Sequence, residues 1–289
     1  MGLSQCYKTG AEKGKDIMRR FILGCSVALV SLFVAVAAHA AGMDSAIPVE
    51  DSIPNIVGVA VGGAPDYMGS NDYRFVAAPF LKYTFEGERY VQLLATELNV
   101  NLLNHPILRF GPSLNYRFGR KDSVEDEVVK QMTELKGAVE AGAFVGAVFR
   151  EKDPRQRLVL NLDFLQDVTG HSKGYILTLS GRYWYPISRP IDLSLGVSTS
   201  YASRNWMEYY FGVNANNVGT SGLPFYDASS GLRDVSFSPT MVYHLSRSWH
   251  LAAGARYQYL TGPANNSPVV ALRGSSSQWL FGVGGAYSW

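Results

Sequence analysis

The segment 278–289 alternates between two kinds of side chain with a period of two. Trp279, Phe281, Val283, Gly285, Tyr287 and Trp289 fall on one side; Gln278, Gly282, Gly284, Ala286 and Ser288 fall on the other, with Leu280 the exception. Successive strand residues point to opposite faces, so this segment carries one apolar, aromatic face and one small, polar face. A strand lying between lipid and a polar lumen needs that division. A soluble sandwich would show the same alternation in shorter strands, with a polar side richer in Lys. The expectation is a transmembrane strand, with Phe281, Tyr287 and Trp289 resembling a C-terminal signal for outer-membrane assembly.

The pattern recurs. In 190–203, Ile191, Leu193, Leu195, Val197, Thr199 and Tyr201 oppose Asp192, Ser194, Gly196, Ser198 and Ser200. Segments 157–167 and 108–118 repeat it. Alternating runs of about ten residues are what a tilted strand needs to cross a bilayer. Between residue 55 and the end no amphipathic helix is expected, so the fold class is all-β: an antiparallel up-and-down barrel. Charged residues fall on the polar side (Arg109, Arg117, Glu140, Arg157, Asp163, Arg182, Asp192 and Arg256). Their mixed signs fit either ion pairing across a constricted lumen or ordinary solvated lumen groups. Short links at 151–156, 186–190 and 245–248 alternate with long ones at 119–136, 204–234 and 261–276. Outer-membrane barrels keep short turns periplasmic and long loops outside. Two short strands within 86–106 give twelve strands with both termini periplasmic; none there gives the alternative of ten.

The N-terminal region reads as an export signal. After Met18, Arg19 and Arg20 precede an apolar run from Phe21 to Ala38, closed by Ala38-His39-Ala40. A basic start, an apolar stretch and an A-x-A site predict cleavage between Ala40 and Ala41, with 1–17 an upstream extension and 41–54 a periplasmic segment before the barrel of 55–289. Both cysteines, Cys6 and Cys25, precede that cut, which leaves no disulfide and no thiol chemistry in the remainder. Removing five basic and two acidic residues from 26 and 24 leaves 21 and 22, a balance that points to no nucleic-acid partner.

Catalytic and metal signals are sparse, and neither a cofactor nor a metal is expected. His105, His171, His244 and His250 show no HExxH or paired-ligand spacing. His244 and Ser246 share a strand face and form the one conceivable base–nucleophile pair, but they sit at a short turn. The loop 204–234 is more distinctive. Trp206, Tyr209, Tyr210, Phe211, Leu223, Phe225 and Tyr226 are too apolar to stand in water, so they either fold into the barrel mouth or meet a partner. On the short-turn side the candidate contacts are the basic residues Arg150, Lys152 and Arg155, with Arg157 beside them.

Six motifs in order carry a family resemblance: Gly-Pro-Ser-Leu-x-Tyr-Arg-x-Gly-Arg at 111–120, Glu-Ala-Gly-Ala at 140–143, Gly-His-Ser-x-Gly at 170–174, Tyr-Phe-Gly-Val at 210–213, Ser-Gly-Leu-Pro-x-Tyr at 221–226 and Asn-Ser-Pro-Val-Val at 266–270. Together they resemble the MltA-interacting protein / OmpV family. That resemblance implies an outer-membrane barrel in contact with lipid. It also implies a non-enzymatic scaffold joining a murein-cleaving lytic transglycosylase to a bifunctional murein synthase. The resemblance also admits a narrow porin or an adhesin, since some relatives look like adhesins or osmotic-stress porins. The family supplies no catalytic residues to carry over.

Overall fold

Twelve antiparallel strands, each paired with the one before it, close when the last pairs with the first. The computed structural model describes Ile53 and residues 55–121 and 123–289. The expected export signal, its expected cleavage site at Ala40 and Ala41, and nearly all of 41–54 lie outside those residues. The strands are β1 (Asn55–Pro65), β2 (Tyr73–Thr84), β3 (Tyr90–Leu94), β4 (Glu97–Asn101), β5 (Leu108–Arg117), β6 (Ala138–Arg150), β7 (Arg157–Asp167), β8 (Tyr175–Ser188), β9 (Ile191–Ala202), β10 (Gly231–His244), β11 (Trp249–Leu260) and β12 (Ser277–Ser288). The ambiguous stretch 86–106 thus holds two strands of five residues each, and the count is twelve.

Closure removes the open edge that an isolated last strand would present. It also fixes register: Val57 meets Tyr287 and Gly62 meets Gly282. A one-residue slip would turn every lipid-facing side chain inward. Leu195 is 46% exposed while its neighbour Ser194 is 5% exposed, as an outward and an inward residue should be. Trp279, Phe281, Val283, Tyr287 and Trp289 all face outward. Leu280, the break in the alternation, points inward with a physical reason. It packs in an apolar cluster with Ile56, Val76, Ala78 and Phe80 on the lumen side.

At one end, the turn end, the links are short: 151–156, 189–190 and 245–248. At the other, the loop end, 118–137, 203–230 and 261–276 are long. These loops are not wholly irregular, which corrects the expectation of no helix. They contain α1 (Arg204–Phe211), α2 (Ala215–Ser221), α3 (Gly262–Asn266), α4 (Pro268–Ala271) and a single 3-10 turn at Val129–Gln131. Helices of eight residues or fewer are marginal alone, so tertiary packing must hold them. In α1 the buried residues Trp206, Met207, Tyr210 and Phe211 recur at helical spacing on one face. Helix α2 is capped at one end by Asn214, whose side chain accepts from Asn217 N, and stops at Gly222, whose φ of 72° is a conformation glycine adopts without strain.

Candidate functional site

The loop end is a plug built from the residues upward. Trp206 is fully buried beneath the mouth, and its indole Nε1 donates to Glu140 Oε1 at 3.0 Å. Glu140 also accepts from Arg117 Nε and Nη2, both at 2.8 Å, and from Asn115 Nδ2 at 2.9 Å. Four donor contacts on a buried carboxylate offset the cost of removing it from water. The guanidiniums of Arg117 and Arg233 each lie 5.2 Å from the Trp206 ring, in cation–π contact. Arg233 pairs with Asp234 and reaches Ser200 Oγ at 3.3 Å.

Above this polar floor lies apolar packing. Trp206, Met207, Tyr210 and Phe211 join Leu165, Ile176, Ala228, Leu260 and Val270 in one cluster; Tyr67, Val129, Met132, Val213, Leu223 and Val269 form a second. The loops are then tied to each other. Ser267 Oγ donates to Phe211 O at 2.6 Å, Tyr226 OH to Pro263 O at 2.8 Å and Tyr209 OH to Lys136 O at 3.0 Å. Arg273 pairs with Asp126 at 2.8 Å. Burial would push the Asp126 carboxyl up, but hydrogen bonds from Arg273, Val129 N and Val128 N outweigh it and hold the group below its ordinary range. Burial drives the Tyr67 hydroxyl up to about 12 and raises Tyr210 further.

The aromatic residues singled out in the sequence therefore divide. Trp206, Tyr210, Phe211 and Leu223 are buried, Tyr209 and Tyr226 are partly buried against the plug, and Phe225 stands 65% exposed. Of the two readings open in the sequence, the buried four take the inward one: they pack inside the mouth, where their combined apolar area is more stable than in water.

Below the plug the lumen holds a cavity of about 220 Å³ lined by Arg109, Arg117, Arg182, Arg233, Arg256 and Trp184 among others. The lumen charges are tied to near neighbours: Glu140–Arg117 joins β5 to β6, and Arg182 reaches Ser194 at 2.9 Å and Ser238 at 3.1 Å.

The turn end is polar. Arg150 donates to Pro106 O at 2.8 Å and Glu88 Oε2 at 3.2 Å. Arg155 donates to Ser188 O and Arg189 O at 3.1 Å and to Asp192 Oδ1 at 3.2 Å. Arg157, grouped with them in sequence, is fully buried and stacks 4.6 Å from the Trp184 ring, so it presents no surface charge. Lys152 is exposed. His244 and Ser246 do not meet as a pair. Ser246 Oγ accepts from Ser248 N at 3.2 Å and Trp249 N at 3.0 Å, closing its own turn. Both ring nitrogens of His244 are engaged elsewhere, Nε2 by Asp192 at 2.9 Å and Nδ1 by His250 at 2.7 Å. Sequence spacing missed that histidine pair. Its signal is an i, i+6 relation across a hairpin turn, which becomes visible once 245–248 is read as the link.

A family model described as "MltA-interacting protein MipA" matches residues 57–289. No curated protein matches the chain in sequence. Among solved structures, it is similar to an outer-membrane channel from Pseudomonas putida F1, with a TM-score of 0.44, 10% identity, and 86% of this chain and 98% of that one covered. It is also similar to a Pseudomonas aeruginosa FadL homologue (TM-score 0.39, 10% identity, 88% and 98% covered) and to the translocator domain of the Neisseria meningitidis autotransporter NalP (0.38, 10%, 92% and 98%).

Proposed function

The chain belongs to the MltA-interacting protein MipA family, and from that membership we propose a non-enzymatic outer-membrane scaffold that joins a lytic transglycosylase to a bifunctional murein synthase. The observation that supports this reading is the plug. The aromatic loop is consumed in sealing its own mouth, which leaves the turn end and the segment 41–54 to meet periplasmic proteins. On that surface Lys152 is exposed, as are Arg89, Arg189 and Arg247, while Arg150 and Arg155 also hold the turns together. Purified barrel in detergent, mixed with a murein lytic transglycosylase, tests it. Lys152→Glu is expected to weaken the complex severalfold, and added salt should weaken it further. Binding that ignores Lys152→Glu and salt but vanishes when 208–228 is shortened would reverse the assignment. A narrow channel is the second reading, supported by the arginine-lined cavity, and planar-bilayer conductance of the intact barrel separates the two.

A further inference from the structure

We infer that the barrel wall holds a lateral window between β2 and β5, open to the hydrocarbon of the loop-end leaflet, which admits a single-chain lipid with an anionic head into the lumen cavity. Its outline is set by strand register. β2 pairs with β1 over all of Tyr73–Tyr83, but with β3 only from Phe80 to Thr84. On the other side β5 pairs with β6 from Leu108 to Arg117, while the register of β4 with β5 covers only Ser113–Asn115. The β3–β4 hairpin therefore stops partway up the wall at Ala95 and Thr96, where Ala95 N donates to Pro79 O and Tyr116 N to Thr96 O. Above that tip the sheet lacks two strand widths, roughly 10 Å. Across the top, Glu125 N donates to Asp66 Oδ2 at 3.0 Å and Asp66 pairs with Arg74, so the gap is framed on all four sides.

The edge of β2 beside the gap is unpaired. Backbone groups along a strand alternate sides, so the N–H and C=O of Phe75 and Ala77 point the same way as the Pro79 carbonyl, toward the gap. Among the described residues no hydrogen bond reaches them. Phe75 is 73% exposed, more than any other large apolar side chain among those residues, as the lack of a neighbouring strand requires. Tyr73 OH accepts from Trp279 N, which sets both rings in the aromatic belt of the loop end and leaves Phe75 and Ala77 below it, in hydrocarbon. Backbone groups at that depth need protein, water or a polar ligand, because lipid tails offer no hydrogen bond.

The lumen cavity lies directly behind this gap. Its lining includes Leu94 and Glu97, which flank the hairpin tip, Arg117 at the end of β5, and Met68 from the link between β1 and β2. Met68, Leu94, Leu165 and Ile176 give the cavity an apolar side that suits an acyl chain. Arginines outnumber carboxylates five to two in the same lining, which favours an anionic head over a cationic one. At about 220 Å³ the cavity is small for an organic ligand, and it suits one chain rather than several. The plug closes the axial route from the loop end, whereas the window opens sideways into the phase where such a lipid dissolves. A head group entering there meets the N–H groups of Phe75 and Ala77 that hydrocarbon leaves unsatisfied.

The test uses the intact barrel in lipid nanodiscs and a fatty acid with a photoreactive group at the end of its chain. Cross-links are expected at Phe75, Ala77, Leu94 and Met68, severalfold above those at Val197, which faces lipid on β9. Unlabelled fatty acid and lysophospholipid should each compete, and the stronger competitor assigns the head as carboxylate or phosphate. The matching fatty alcohol should compete severalfold more weakly. Labelling of the window no stronger than at Val197 overturns the inference, and so does an alcohol that competes as well as either anionic lipid. Hydrogen exchange reads the edge separately. The amides of Phe75 and Ala77 should exchange faster than those of Val59 and Val61, whose strand is paired on both sides. Equal protection in the ligand-free barrel means a closed wall and overturns the window. Ala77→Trp, placed to fill the gap, should cut labelling of Leu94 and Met68 severalfold, and a folded variant that labels them as before overturns it too. The wild-type measurements decide the matter whether or not that variant folds.

Discussion

The two ends of this barrel are closed by different physics. The loop end is held by apolar burial: two clusters of helices and loops seated on a carboxylate with four donor contacts. The turn end is held by short links and polar ties, with Arg155, Asp192, His244, His250 and Ser288 forming a continuous chain of contacts. Long loops need a core of their own to stay in place, whereas short turns inherit their geometry from the strands they join. Exposed chemistry therefore concentrates where the chain is shortest, and the conspicuous aromatic loop is mainly architecture.

That contrast breaks most readily at Trp206. Trp206→Ala leaves a cavity and removes one hydrogen bond from Glu140, so a loss of about 3–5 kcal/mol is expected, read as a lower denaturant midpoint in detergent. Ser246→Ala, at the other end, removes only a turn contact and should cost below about 1 kcal/mol. Comparable losses at the two sites would mean that the plug is not a core. The wall between the ends gives the next effect. Leu195→Arg places a charge in lipid at a cost of about 2–4 kcal/mol, and Ser194→Arg in the lumen should fold far better. Equal folding yields would contradict the register.

The smallest expected effect sharpens the picture of how the loops are latched. Asp126 ordinarily titrates near 3.8 and is held lower in the fold, chiefly by Arg273, against the opposing push of burial. Its contribution is therefore complete above about that pH and lost as the pH falls through the lower folded value. Pepsin cleavage within 119–136 is expected to rise across that acid window, and Asp126→Asn should flatten the rise. A variant with the unaltered pH response would remove Arg273–Asp126 from the account.

Much of the wall was legible in the sequence. Period-two alternation placed Leu195 outward and Ser194 inward, and the link lengths with an even strand count left twelve or ten strands, of which the barrel has twelve. Such patterns are local, because each strand states its own two faces. The plug was less legible. Trp206, Met207, Tyr210 and Phe211 do carry a helical spacing, but two turns of helix are too short to distinguish from a loop rich in aromatics. Whether those rings turn inward depends on Glu140 and Arg117, more than sixty residues away in the chain. The histidine pair was illegible for a related reason: local spacing does not show it, because His244 meets His250 only through hairpin register.

The central claim is that the loop end is sealed and faces outward while the turn end faces the periplasm. Single cysteines test it cleanly, because the native cysteines, Cys6 and Cys25, lie within the predicted export signal. A membrane-impermeant maleimide applied to intact cells should label Phe225→Cys, which replaces an exposed ring, and leave Leu223→Cys unlabelled within the plug. Lys152→Cys should label only after the outer membrane is permeabilised. Labelling of Lys152→Cys on intact cells, with Phe225→Cys protected, would invert the barrel and contradict the account.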